Sequence, residues 1–213
     1  MDQLQGAVDE ALLGNERPRV LEAGCGSAAH VRFPVGAHIT GIDIDRRQLA
    51  GNTSCSEKVL GDIETYDLAP SSYDAIVCWY VLEHLKFPDH ALVRFARAVK
   101  PGGIVVLAVP NLMTVKGLVT RHRPRSGPRP WPSTLPWTIV PDRLLRLAAS
   151  CHLEAVFEAY LEDGKQVETR LKIGLTGRRW EAVKRLVTRL SRGRVDAART
   201  ELLLVLRRPV DPH

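Results

Sequence analysis

Three carboxylates and a pair of glycines carry the chemistry this sequence offers. Glu22 stands two residues before the turn Gly24-Cys25-Gly26, Asp43 closes the apolar run HITGID, and Asp62 follows Gly61 after the run EKVL. Glycine is needed where backbone turns sharply and approaches a ligand with no Cβ in the way. A G-x-G turn alone does not tell one nucleotide cofactor from another, but the acids narrow the choice. A carboxylate just before the turn can accept from a positively charged amino group and would repel a pyrophosphate. Asp43, at a strand end, is placed to accept both hydroxyls of a ribose. Asp62 offers a second acid for an exocyclic amine, with Ile63 beside it as an apolar surface for a base.

Strand-like and helix-like segments alternate around these residues. Short apolar runs at 19–23, 38–43, 57–60, 73–79 and 103–109 suit a parallel sheet buried on both faces. Helical spacing is seen at 3–13, 46–51 and 89–99, the last with Asp89 as its expected N-cap. Pro101-Gly102-Gly103 reads as a turn before the fifth strand. A helix at 141–151 with proline at its first position, a strand at 153–160, an amphipathic helix at 178–192 and a strand at 201–207 complete the pattern. The expected fold class is α/β: a doubly wound, Rossmann-like sheet of about seven strands, mostly parallel, with an antiparallel last strand. One domain is expected over 1–213, with 19–111 as its cofactor-binding core.

Two segments break the alternation. AAHVRFPVGA (28–37) leaves room for barely two helical turns before Pro34 ends them, so the helix usual after the first strand is expected to be truncated or absent. Residues 112–141 are rich in proline and arginine and read as a loop or lid. Charge is also uneven. Residues 1–115 carry a balance of −4 and residues 116–213 one of +10, within a net +6. The basic half is expected to meet something anionic or to form a solvated face. Four well-separated cysteines with no C-x-x-C pair fit free thiols in a reducing cytoplasm, with no metal site. No apolar run is long enough to span a bilayer and no secretory signal is visible, so a cytoplasmic location is expected.

The motifs LEAGCGS (21–27), GIDID (41–45), GDIETYDL (61–68), YDAIVCWYVLEHL (73–85) and KPGGIVVLAVPN (100–111) stand in an order that resembles the class I S-adenosylmethionine-dependent methyltransferases of the small single-domain type. PDRLLRLAASCHLEAVF (141–157) is a looser match to the last helix and sixth strand of that family. The resemblance implies S-adenosyl-L-methionine as cofactor. It implies that Glu22, Gly24 and Gly26 hold the methionyl end, Asp43 the ribose, Ile44 and Ile63 the two faces of the adenine, and Asp62 the adenine amine. Cys78 would bring backbone close to the reactive sulfonium. One departure is Ala28, where the family's loop has its third glycine.

Methyl transfer from a sulfonium is an in-line displacement, so alignment of the acceptor supplies most of the acceleration. If the acceptor is a hydroxyl, a base is needed within hydrogen-bond reach. His84 is the candidate, with Glu83 beside it and Tyr80 as a lining residue of the acceptor pocket; His122 is a weaker one. The tetrad Cys78-Trp79-Tyr80-Val81 is not the Pro-Pro motif of adenine- or glutamine-methylating enzymes, and no Pro-Cys nucleophile is present. The acceptor site is therefore expected from 111–141 and 161–200, whose arginines favour a small-molecule acceptor that is anionic or lipid-linked, with nucleic acid disfavoured. The helix at 178–192 would allow peripheral membrane contact. Two other readings stay open: a nicotinamide-dependent oxidoreductase, and a non-catalytic basic binding module on the same scaffold. Oligomeric state is not legible.

Overall fold

A computed structural model describes residues 1–111, 140–162, 176–192 and 199–210. Its centre is a seven-stranded sheet of order β3-β2-β1-β4-β5-β7-β6. The strands are β1 (Arg19–Ala23), β2 (His38–Asp43), β3 (Glu57–Leu60), β4 (Tyr73–Trp79), β5 (Val99–Pro110), β6 (Glu154–Leu161) and β7 (Glu201–Arg207). The first five pair in parallel, and β7 runs antiparallel to both β5 and β6. This is the expected class, with strands six and seven as antiparallel neighbours.

The helices are α1 (Asp2–Ala11), α2 (Arg46–Gly51), α3 (Pro88–Ala98), α4 (Pro141–Ser150) and α5 (Gly177–Leu190). Each takes its place for a local reason. In α3, Ala91, Leu92, Phe95 and Ala98 recur at helical spacing and are buried on one sheet face, where α4 adds Leu144 and Ala148. On the opposite face α1 contributes Leu4 and Val8, and its C-cap Leu12, against Val20, Val77 and Val106. Pro88, not Asp89, opens α3: proline's fixed φ suits the first helical position, which leaves Asp89 inside the first turn and Phe87 as the cap. Asp45 caps α2 by accepting from the backbone N–H groups of Arg47 and Gln48, and those bonds lower its pKa.

The expected turn at Pro101-Gly102-Gly103 lies within β5 rather than before it. Tyr73 pairs with Val99 and Ala75 with Ile104, so residues 100–103 bulge out while the ladder continues. Between β1 and β2 no helix forms. Residues 28–37 cross as a loop whose Val31, Phe33 and Ala37 pack beside α1. The proline-rich segment 112–139, including His122, and, within 161–200, residues 163–175 and 193–198 fall outside the described residues.

Gly41, at the middle of β2, is paired with Glu22 of β1. A Cβ there would come within 3 Å of the sulfurs of both Cys55 and Cys25. Gly41→Ala is thus expected to cost about 1–3 kcal/mol by overpacking. Chemical denaturation should show the loss, and adding Cys55→Ala, which removes one of the two sulfurs, should recover part of it.

Candidate functional site

Parallel strands end together, and the C-terminal ends of β1, β2 and β4 bring three loops to one edge. Gly24 and Gly26 both take positive φ, 70° and 53°, which lets the chain reverse over the end of β1. Gly24 also has no room for a side chain, since Val81 after β4 lies directly against it. The loop is pinned from the neighbouring strand. The N–H groups of Gly24 and Cys25 donate to the Ile42 carbonyl, at 2.8 and 3.1 Å, and the Gly26 N–H donates to Asp43 Oδ2 at 2.8 Å. Asp43 Oδ1 accepts from the Asp45 N–H at 2.7 Å, so this half-buried carboxylate is fixed in place.

Glu22 lies beneath the loop and is 3% exposed. Its Oε1 finds no hydrogen-bond partner among the described residues, and Cys55 Sγ stands 4.0 Å from its Oε2. Burial pushes its pKa up to about 7. A buried carboxylate with an idle oxygen under a glycine turn can accept from a cationic group, which is what the ammonium of the expected cofactor would supply. Glu83 is the second such acid: buried, with Oε2 unpartnered among the described residues and a pKa raised by burial to about 7.

The base-recognition candidates separate. Ile44 is 76% exposed and lines a surface depression with Asp45, Arg46 and Arg47. Asp62 is exposed, and its Oδ1 accepts from the Glu64 N–H. Ile63 instead belongs to the core cluster beneath α3. The turn that carries Asp62 and Ile63 is held by Arg94 of α3, whose guanidinium donates to the carbonyls of Ile63, Glu64 and Tyr66. Cys78 is fully buried at the end of β4. Tyr80 takes φ +52°, an uncommon conformation for a bulky residue, and sits edge-on to Trp79 with ring centroids 6.0 Å apart. His84 lies on a 3-10 turn (Leu82–His84), its surface largely exposed and its pKa lowered by desolvation.

Three contributors were not evident from sequence. His30, in the loop that replaces a helix, stacks on Trp79 at 5.2 Å with rings nearly parallel, and desolvation lowers its pKa. Cys55, before β3, reaches under the loop to Glu22. Asn52 is completely buried; its Nδ2 donates to the carbonyls of Cys25 and Gly26 and its Oδ1 accepts from the Ser54 N–H. An asparagine just past α2 was the available signal, since that side chain readily satisfies turn backbone. Removing it takes the amide donor from two carbonyls, leaving Gly26 O only the weak Cys25 thiol. Asn52→Ala is expected to lower stability by about 1–3 kcal/mol, read by denaturant unfolding, with hydrogen exchange accelerated at residues 24–26.

Residues 2–157 match the model of a methyltransferase domain. A ubiquinone biosynthesis O-methyltransferase of Dechloromonas aromatica is 33% identical over 104 residues, 44% of each chain. The chain spans less than half the length of such curated relatives. Among solved structures, an S-adenosylmethionine-dependent methyltransferase from Mesorhizobium loti superposes with TM-score 0.59 at 15% identity, covering 95% of this chain and 96% of that one. The [4+2]-cyclase SpnF superposes with TM-score 0.61 at 22% identity, covering 98% and 82%. These likenesses show the fold, and the family match covers most of the described sheet. The chain belongs to the class I S-adenosylmethionine-dependent methyltransferase family, with S-adenosyl-L-methionine as its cofactor.

Proposed function

We propose that this protein methylates a hydroxyl of a small acceptor carrying an aromatic ring. The observation behind the acceptor class is the aromatic corner of His30, Trp79 and Tyr80, built where β4 ends beside the glycine loop. Offset or edge-on ring packing recognises planar groups with defined geometry. Several similar proteins are named ubiquinone biosynthesis O-methyltransferases, which supports transfer to oxygen. Transfer to nitrogen is the second reading.

When bound, S-adenosylmethionine supplies a methyl group already activated by its sulfonium. The chain's own residues do the rest. Glu22 holds the ammonium from below the loop, Gly24 and Gly26 let backbone approach the methionyl end, and Asp43 takes the ribose hydroxyls. Asp62 receives the adenine amine and exposed Ile44 covers one face of the base. Ile63, packed in the core, supports the turn from behind. Cys78 contributes backbone at the end of β4. Tyr80 lines the acceptor pocket and helps to align the hydroxyl, a positioning effect that carries most of the rate. His84, kept neutral near pH 7 by its lowered pKa, accepts the hydroxyl proton.

The arginine-rich second half supports an anionic or lipid-linked acceptor. Helix α5 buries no residue, and its Leu186 and Leu190 are 55% and 76% exposed beside Arg178, Arg185 and Arg189. A basic amphipathic helix of this kind suits peripheral contact with a membrane surface. Among the described residues no helix is long and apolar enough to cross a membrane.

Two measurements test the reading. Glu22 has its pKa raised to about 7, and a cationic ligand favours the ionised carboxylate, so ligand binding must release a proton below that pH. Affinity for S-adenosylhomocysteine, measured by calorimetry, should therefore rise as pH goes from 6 to 8, by roughly tenfold. Glu22→Gln should bind weakly and flatten the profile; an unchanged profile would remove Glu22 from the site. Incubation of phenolic extracts with methyl-labelled cofactor should yield a labelled ether, and His84→Ala should lower kcat by about 100-fold or more with cofactor affinity intact. Labelled amine products would instead favour transfer to nitrogen.

A further inference from the structure

The space left by Gly41 is filled by two thiols. The Cys25 side chain comes down from the glycine loop and that of Cys55 comes in from the segment before β3, and both sulfurs lie within 3 Å of the point where a Gly41 Cβ would stand. The two sulfurs flank the volume that a single methyl group would fill. Cys25 is 3% exposed and Cys55 is half-buried, so solvent reaches the pair from the Cys55 side. The other two cysteines are apart from it: Cys78 is fully buried beneath the opposite helices, and Cys151 closes α4.

We propose that Cys25 and Cys55 form a reversible disulfide that lowers affinity for the cofactor. This rests on the assignment of Glu22 and residues 24–26 to the methionyl end. A peroxide oxidises the exposed Cys55 thiol to a sulfenic acid, and one water leaves. The Cys25 thiol then attacks that sulfur, the S–O bond breaks, and a second water leaves with the S–S bond formed. Two thiols are oxidised and one peroxide is reduced to two waters.

Two contacts change as a result. Cys55 Sγ is the only hydrogen-bond donor to Glu22 among the described residues, and turning it toward Cys25 leaves both oxygens of the buried carboxylate unpartnered. An unpartnered buried carboxylate is driven toward its neutral form, which no longer attracts an ammonium. The same bond draws Cys25 downward, and with it the next residue, Gly26, whose N–H fixes Asp43. Asn52 already clamps the loop to the segment leading to Cys55, so the two backbones need travel little. Burial holds both thiols protonated at neutral pH, Cys25 up to about 12, so cross-linking should be slow at neutral pH and faster as pH rises.

The test uses the full chain treated with hydrogen peroxide, then digested without reduction for mass spectrometry. The expected product is a peptide joining Cys25 to Cys55. The cross-linked protein should bind S-adenosylhomocysteine at least tenfold more weakly, with full recovery after dithiothreitol. Cys55→Ser, which keeps a hydroxyl donor beside Glu22 but cannot cross-link, should show the same affinity before and after peroxide, and Cys151→Ala, altered away from the pair, should still lose affinity on oxidation. Absence of the 25–55 peptide, oxidation that stops at sulfinic acid, or cross-linked protein binding within twofold of the reduced form would each overturn the proposal. Failure of reduced wild-type protein to bind S-adenosylhomocysteine would instead count against the assignment of the methionyl site, so the two failures are distinguishable.

Discussion

The hydrogen bond from the Gly26 N–H to Asp43 is the constraint on which the rest of the site depends. In a fold of this kind a helix normally follows the first strand and stiffens the turn through its own backbone ladder. Here residues 28–37 are too few and Pro34 interrupts them, so the turn has no helix to lean on. Its rigidity comes sideways instead, from Ile42 and Asp43 on β2 and from the buried amide of Asn52. Anything that displaces the end of β2 therefore displaces the loop over β1. The partial positive charge of a helix N-terminus is also missing, which places the electrostatics of the site on side-chain carboxylates.

Those carboxylates are of two kinds. Asp43 and Asp62 accept from backbone N–H groups, which orient them at the rim. Glu22 and Glu83 are buried with idle oxygens and sit near neutrality in the free protein. Such groups are costly to bury without a partner, and they persist where a ligand or the chemistry gives them one. The edge thus carries oriented acids at its rim and two acids with idle oxygens beneath it.

How much of this was legible in the sequence depended on distance along the chain. Strands β1, β2, β4 and β7 have the bounds their apolar runs suggest, because a largely buried strand writes itself as a local pattern; β3 also has its expected bounds, though it is largely exposed at the sheet edge. The missing helix was readable from one proline and ten residues. Asp89 shows where local logic stops: it has the right chemistry for a cap, yet the adjacent Pro88 occupies the first helical position and wins. Ile44 and Ile63 look equivalent in sequence and separate in space, one open to solvent and one in the core, because only the packing of α3 distinguishes them. Asn52, Cys55 and His30 act across 26 to 49 residues of chain, and no spacing rule reaches that far.

The position of β7 has a consequence for how the protein comes into being. Strand β7 is inserted between β5 and β6, so β6 has no partner in the sheet except a segment synthesised about forty residues later. Until residues 201–207 leave the ribosome, β5 presents an open hydrogen-bonding edge and Val106, Leu107 and Ala108 lack half of their neighbours. Unpaired apolar edges invite pairing with other chains. Pairing with β7 is what covers that edge of β5 in the folded sheet.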